Sequence, residues 1–385
     1  MHRMRAAESG VERCAARASG MIGKTDDRAI ARPCGRTPSE ECRTMTEDAR
    51  TATGASEERL DAVYDTALLD LDGVVYAGGE AVAHAVDSLA TAREGGMHLA
   101  YVTNNALRPP SAVAAHLCEL GVPADASDVI TSAQAVARLI ADEQAEGARV
   151  LLIGGEGLRQ ALVERGLVPV ASADDAPAAV AQGYGGPDFP WSRFAEAGYA
   201  VRAGVPWYAS NTDLTIPSGR GIAPGNGAAV EVVRMASGGE PKVAGKPLPP
   251  MHRETILRTG AKRPLVVGDR LDTDIEGAHA GGVDSLLVLT GVTDVAALLR
   301  AVPEHRPTYV GRDLRELLVP HEAPRAEDDG AWVCGAARAR VRDGELVLEM
   351  DGAGAGDGAG GVMLDGLRVA CAAAWSAGGG GAFEG

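Results

Sequence analysis

Short apolar runs of strand length alternate along the middle of this chain with segments whose apolar residues recur every three or four positions. Thr66-Ala67-Leu68-Leu69 is the first such run, and it delivers Asp70 and Asp72 into a turn at Gly73. The spacing of Val82, Ala85, Val86 and Leu89 predicts a helix over 80–93, closed by Gly95-Gly96. A strand over 98–103 then runs into Asn104-Asn105, and a helix over 111–120 ends at Gly121. A third strand is expected at 129–131, with Ser132 capping a helix to about 146. Such alternation marks a parallel α/β sheet.

From Arg149 the rhythm restarts, with strands at 150–153, 180–184 and 207–210 and helices over 157–165 and 191–203. This reads as a second, smaller α/β unit. It carries Asn211-Thr212-Asp213-Leu214 and a glycine-rich stretch over 219–227, loops placed to meet a ligand. Gly245-Lys246-Pro247 follows, then a helix over 251–259 and a buried strand over 264–269 that ends in Asp269. Residues 270–275 open another helix, 285–290 give a last core strand, and the pattern ends near Leu318.

The expected organisation is therefore a core over 61–147 and 241–320, interrupted by the unit at 148–240. An extension over 321–385 holds a hairpin signal at Arg342-Asp343-Gly344-Glu345, a glycine-rich linker and a helix over 363–377. Residues 1–60 lack apolar periodicity and are expected to be disordered. Met45 is a candidate start within them; the rival, an organellar targeting peptide, is disfavoured by Glu8, Glu12, Asp26 and Asp27.

Composition narrows the classes. Of 385 residues, 45% are apolar and 23% charged, as in a globular protein. A formal charge of −16 argues against a nucleic-acid or anionic-membrane surface, though a small phosphorylated partner needs only local positive charge. No apolar run reaches the ~18 residues of a membrane span. Six scattered cysteines make no C-x-x-C pair, so neither zinc nor a disulfide framework is indicated, and a cytoplasmic location is expected.

Asp70 and Asp72, spaced i, i+2, leave a strand on one side and stand at the carboxyl edge of the sheet. Alone, such a pair before a glycine is as often a solvated turn. Thr103 and Asp269/Asp274 also close strands, and Lys246 precedes a helix. Together the set suits phosphoryl transfer. One carboxylate can attack phosphorus, and a second acid can protonate the leaving oxygen and later activate water. A hydroxyl and a lysine can hold the phosphoryl oxygens, and a further acid completes an oxygen-only Mg²⁺ site. Singly, Thr103 would be a cap, Lys246 a solvated lysine and Asp274 a helix N-terminal acid.

The chain resembles the haloacid dehalogenase (HAD) superfamily, in the subfamily IIA of NagD-like, p-nitrophenyl phosphatase-like and phosphoglycolate phosphatase-like enzymes. The resemblance spans about 67–318 and rests on Asp70-Leu71-Asp72-Gly73-Val74-Val75-Tyr76, Val102-Thr103-Asn104-Asn105, Gly245-Lys246-Pro247 and the run from Val267 to Ile275. It implies a Rossmann-like parallel-sheet core with an inserted α/β cap of the C2 type. It implies Asp70 as nucleophile and metal ligand, and Asp72 as general acid/base, ligating through its carbonyl. Thr103, with the Asn104 amide, would bind the phosphoryl group and Lys246 would neutralise it. Asp269 would ligate Mg²⁺, and Asp274 would order the metal's surroundings. The side chains of Asn104 and Asn105 fit either turns or substrate contacts, and Asn211 and Asp213 are the cap's specificity candidates. Caps of this type often mediate dimers, which makes a homodimer one expected partner. Actinobacterial homologues with C-terminal extensions are also similar; in some the substrate is glycerol 3-phosphate, and the tail has been likened to an acetyltransferase fragment.

The expected function is Mg²⁺-dependent hydrolysis of small phosphomonoesters through an aspartyl-phosphate. Glycerol 3-phosphate, 2-phosphoglycolate, sugar phosphates, nucleoside monophosphates and p-nitrophenyl phosphate are the candidate substrates. A receiver-like signalling module shares the acids, Thr and Lys, but Asp72 would speed turnover rather than store a signal. A phosphomutase differs only in the acceptor, and an idle scaffold would not need the full set.

Overall fold

The computed structural model describes residues 50–350 and 359–378. The expected disorder over 1–49, and most of the glycine-rich linker, lie outside them. Residues 50–59 are ordered, which moves that boundary: Gly54 N donates to Thr308 O at 2.7 Å and Ser56 bridges His321. Backbone pairing with the core holds this stretch where apolar periodicity gives no signal.

Six parallel strands form the main sheet, in the order Tyr309–Gly311, Asp284–Val288, Pro264–Gly268, Thr66–Leu69, His98–Thr103, Val129–Thr131. Thr66–Leu69 is buried throughout, as a strand covered on both faces must be. The outermost strand, Tyr309–Gly311, lies beyond the one expected to be last; three residues are too few to register as a run. Residues 80–81 are not helical. They pair with Tyr76–Ala77 around Gly78 and Gly79, both at positive φ, and the helix begins at Ala85. Thr131, not Ser132, caps the Ser132–Glu143 helix in a capping box with Gln134, which frees Ser132 Oγ to donate to Asn104 O at 2.6 Å.

A second parallel sheet runs Lys242–Val243, Trp207–Ala209, Ala179–Gln182, Arg149–Ile153, Val168–Val170. Lys242–Val243 pairs with Tyr208 and Ala209, so the boundary expected at 240 falls too early; two residues leave no periodic trace. The glycine-rich stretch is a hairpin, Thr215–Ser218 with Gly221–Pro224, followed by a helix not expected from the sequence, Asn226–Ser237, which buries Val230 and Val233.

The two sheets share one apolar cluster. Leu68, Val102 and Ile130 of the first, Val136 and Ile140 of the Ser132–Glu143 helix, Val150 and Tyr208 of the second, and Leu158 of the helix Glu156–Glu164 belong to it. Beside it, Glu254 is 0% exposed and bonds Arg138, Arg258 and, at 2.9 Å, Arg165 of the second unit.

The C-terminal segment builds more than a hairpin. Arg325–Ala326, Trp332–Cys334, Ala337–Arg342 and Glu345–Met350 make an antiparallel sheet, turned at Asp343-Gly344 with both residues at positive φ. The helix Ala359–Ser376 packs on it through Val369 and Ala373. Arg368 ties this helix to the core, meeting His321 Nδ1 at 3.3 Å and the Glu316 carboxylate at 3.7 Å. Burial holds His321 down to about 4, so it is neutral there. Among the described residues no helix is long and apolar enough to cross a membrane.

Removing the Glu254 carboxylate leaves three guanidinium groups facing one another. Glu254→Gln is expected to destabilise the protein by ~3 kcal/mol in chemical denaturation. Burial opposes ionisation, but Arg138 and Arg258 outweigh it and hold the group below the usual glutamate range. Its contribution is therefore present above the unfolded-state pKa and is lost as pH falls through the lower folded value. The wild-type and variant stabilities should converge in acid.

Candidate active site

Asp70 follows the central strand directly, and its N–H still donates to Val267 O at 2.8 Å, so the carboxylate is fixed at the sheet's carboxyl edge. Leu71 O then accepts from Val75 N at 2.9 Å and Tyr76 N at 3.1 Å, a widened single turn that swings Asp72 out to the mouth. Gly73 makes this turn possible. Its φ is +85°, and a Cβ there would lie 2.6 Å from Asp269 Oδ2.

Lys246 reaches in from the second sheet's edge. Its Nζ donates to Asp70 Oδ1 at 2.5 Å and to Asp274 Oδ1 at 2.8 Å. Burial alone would lower the ammonium pKa, but the Asp274 and Asp70 carboxylates reverse this and hold it above the ordinary lysine value. Asp274 Oδ2 accepts from Arg270 N at 3.2 Å, while Asp269 Oδ2 accepts from Val292 N at 2.6 Å. One carboxylate oxygen of each of Asp70, Asp269 and Asp274 falls within 4.8 Å of the others, the single such acidic cluster among the described residues. Asp269 Oδ1 is buried without a hydrogen-bond partner. Three converging carboxylates and an orphaned oxygen fit a hard, oxygen-seeking divalent cation.

Charge crowding shows in the acids. Burial, with Asp274 and Asp269 beside it and against the pull of Lys246, pushes Asp70 up to about 8. Burial raises Asp269 to about 6, with the Val292 amide opposing and Asp274 adding. Asp72 stands outside the cluster, open to solvent on one side and hemmed by protein on the others. That burial raises it against the charges of Lys246 and Arg108.

Thr103 is 5% exposed, and its Oγ1 accepts from Asn105 N at 3.1 Å, leaving the hydroxyl proton free. Asn105 Oδ1 accepts from Leu107 N at 2.8 Å, so this side chain is a turn former. Asn104 is fully engaged: Oδ1 accepts from Lys246 N at 2.8 Å, and Nδ2 donates to Asp213 Oδ2 at 3.1 Å. Gly245 leaves the space for this, since a Cβ there would come within 2.6 Å of Asn104 Oδ1. Asn211 is spent on structure too, donating to Asn104 O at 2.7 Å. Asp213 is the cap acid at the site, raised by burial against the Asn104 hydrogen bond and the charges of Arg270 and Lys246.

Three groups escape sequence reasoning. Arg270 grips Asp272 at 3.0 and 2.8 Å beside Asp213. Arg108 lies close enough to act on Asp72, its only trace being an arginine in the loop after Thr103. The Val292 amide carries no side-chain signature. Residues 184–186 line a separate hollow of ~380 Å³ with Phe189, Trp191 and Phe194.

With this geometry in view, likeness to known proteins becomes informative. A haloacid dehalogenase-like hydrolase family model matches residues 67–168, and a HAD-hydrolase-like model matches 243–317. The D-glycerol 3-phosphate phosphatase of Mycobacterium tuberculosis is 49% identical over 254 residues, which cover 66% of this chain and 71% of that protein. The chain belongs to the haloacid dehalogenase-like hydrolases. An acid sugar phosphatase of Staphylococcus saprophyticus is 36% identical over 258 residues, covering 66% of this chain and 97% of the relative. The crystal structure of the M. tuberculosis glycerol phosphate phosphatase in complex with magnesium superposes with a TM-score of 0.74 at 42% identity, over 83% of this chain and 93% of that one. The structural likeness of this hydrolase to that relative thus extends over more of the chain than the 66% matched in sequence.

The Asn104 side chain holds the Lys246 backbone N–H through Oδ1 and the Asp213 carboxylate through Nδ2. Asn104→Ala is expected to lower kcat/KM about a hundredfold by letting Lys246 drift, with only a ~1 kcal/mol loss of stability. Steady-state kinetics beside thermal melting checks this.

Proposed function

We propose that this hydrolase acts on small polyol and sugar phosphomonoesters, with glycerol 3-phosphate as the first candidate, and that it works through a phosphorylated Asp70. The chain is a phosphoric monoester hydrolase of the HAD family. The observation that carries the reading is Asp70, held on Lys246 at the end of the central strand, with a raised acid, Asp72, free at the mouth. Mg²⁺ is the cofactor; bound by Asp70, Asp269 and Asp274, it supplies the positive charge an anionic nucleophile needs beside an anionic phosphate.

The steps balance on this chain's own groups. Asp70 Oδ forms a bond to phosphorus as the bond from phosphorus to the leaving oxygen breaks, and Asp72 gives that oxygen its proton. Water then attacks phosphorus, passing a proton to Asp72 as the bond to Asp70 breaks, which releases inorganic phosphate and restores both acids. Lys246 and the Thr103 hydroxyl hold the phosphoryl oxygens. Asp213 and Arg270 offer polar contacts to a hydroxylated leaving group, which suits glycerol or a sugar better than an apolar ester.

Small metabolites as substrates agree with a cytoplasmic setting. The second unit acts as a cap over the site, and its outer helices expose Trp191 at 70%, Tyr199 at 64% and Met235 at 78%, a face suited to a second copy. Light scattering giving twice the chain mass would support that dimer, and a monomer would count against it.

Phosphate release from a panel of esters tests the activity. Asp70→Asn is expected to abolish release, and chelation of Mg²⁺ to do the same. Asp72→Asn should slow alkyl phosphates by about 10²–10⁴-fold. It should slow p-nitrophenyl phosphate less, because that leaving group departs without a proton. Because burial raises Asp72, the alkyl-ester rate should hold to higher pH than an ordinary aspartic acid allows, then fall as this acid loses its proton. Equal losses of Asp72→Asn on both ester types would contradict the acid role.

A further inference from the structure

We infer that the C-terminal helix Ala359–Ser376 is a brace for the acidic segment Leu271–Ile275, with Trp375 as its positioning residue. The inference rests on the reading that Asp269 and Asp274 hold the metal.

Asp274 sits in an unusual stretch. Ile275 N donates to Arg270 O at 3.2 Å, five residues back, and Leu271–Ile275 forms a π-type turn before the helix Glu276–Gly281. Such turns are rare and occur most often at functional sites. Here Leu271 and Ile275, at the two ends of the turn, are anchored in a common apolar cluster with Leu287, Leu298, Ala301 and Val310. The cluster is completed by the C-terminal helix. Leu367, Cys371 and Trp375, spaced four apart on one face, all belong to it.

Trp375 is the largest of these, and Cys371 beside it is fully buried. The tryptophan is 2% exposed, its Nε1 donates to Leu298 O at 3.1 Å, and the Arg306 guanidinium stacks 5.5 Å from its ring. Arg306 is itself 6% exposed and donates to Ala301 O at 3.1 Å. Trp375 is thus fixed within the cluster that also buries Ile275 (1% exposed), the residue next to Asp274, and by filling that cluster it supports the turn that carries Asp274. The opposite face of the same helix, with Val369 and Ala373, touches only the tail's own sheet. One helix thus separates two roles: a face that holds the tail together and a face that holds the acidic turn in place.

The test uses full-length protein and reads Mg²⁺ binding by calorimetry beside the melting temperature. Wild type is expected to bind Mg²⁺; if it does not, the assignment of the acidic cluster fails, independently of the brace. Trp375→Ala should weaken Mg²⁺ binding about tenfold, the scale on which groups supporting metal ligands act. Trp375→Phe should restore most of the affinity. Val369→Ala should lower the melting temperature and leave Mg²⁺ affinity unchanged. If Trp375→Ala cannot be obtained folded, Cys371→Ala on the same face gives the same readout. Unchanged affinity in Trp375→Ala or Cys371→Ala would overturn the brace, and so would a loss in Val369→Ala matching its loss of stability.

Discussion

Three carboxylates drawn within 4.8 Å of one another are a standing electrostatic cost, and the placement of every element around the site answers it. Lys246 meets part of that cost by bridging Asp70 and Asp274, and the orphaned Asp269 oxygen marks where the rest must come from. The groups come from separate stretches of chain, the end of the central strand, the turn after Pro264–Gly268 and the edge of the cap sheet. Only the folded topology brings them together. A site that repels itself unless loaded with cations is also one that an anionic phosphate and a divalent ion fill together.

That arrangement explains why cap and core are so firmly joined. Lys246 leaves the cap sheet yet must sit on a core carboxylate, so slack between the sheets would separate the pair. The shared apolar cluster and the Glu254 hub remove that slack from the side away from the site. Asn104 does the same from within, bonding a core strand end to both Lys246 and Asp213. The C-terminal helix closes the remaining side behind Asp274, which gives the extension a place in the chemistry although it carries no group that touches it.

Much of the site was legible because its residues close strands, and strands announce themselves as apolar runs. Asp70, Thr103 and Asp269 were placed by that alone, and their order along the chain pointed to the family. What stayed hidden were features built from backbone or from very short elements. The edge strands Lys242–Val243 and Tyr309–Gly311 hold too few residues for periodicity. The roles of Asn104, Asn105 and Asn211 could not be told apart, since a side-chain amide reads alike whether it binds a substrate, a turn or a neighbouring carbonyl. The helix Asn226–Ser237 was masked by the glycines before it. The link between the extension and the acidic turn left no trace in the sequence, because Ile275 and Trp375, which share one apolar cluster, lie a hundred residues apart.

The central claim is that Asp70 carries the phosphoryl group. Rapid quenching of the enzyme during turnover, followed by borohydride reduction and peptide mass spectrometry, tests it directly, because an aspartyl-phosphate is reduced to homoserine. Homoserine at position 70, appearing only with substrate and Mg²⁺, is the predicted result. Full turnover with an unmodified Asp70, or label at another acid such as Asp72 or Asp269, would contradict the account.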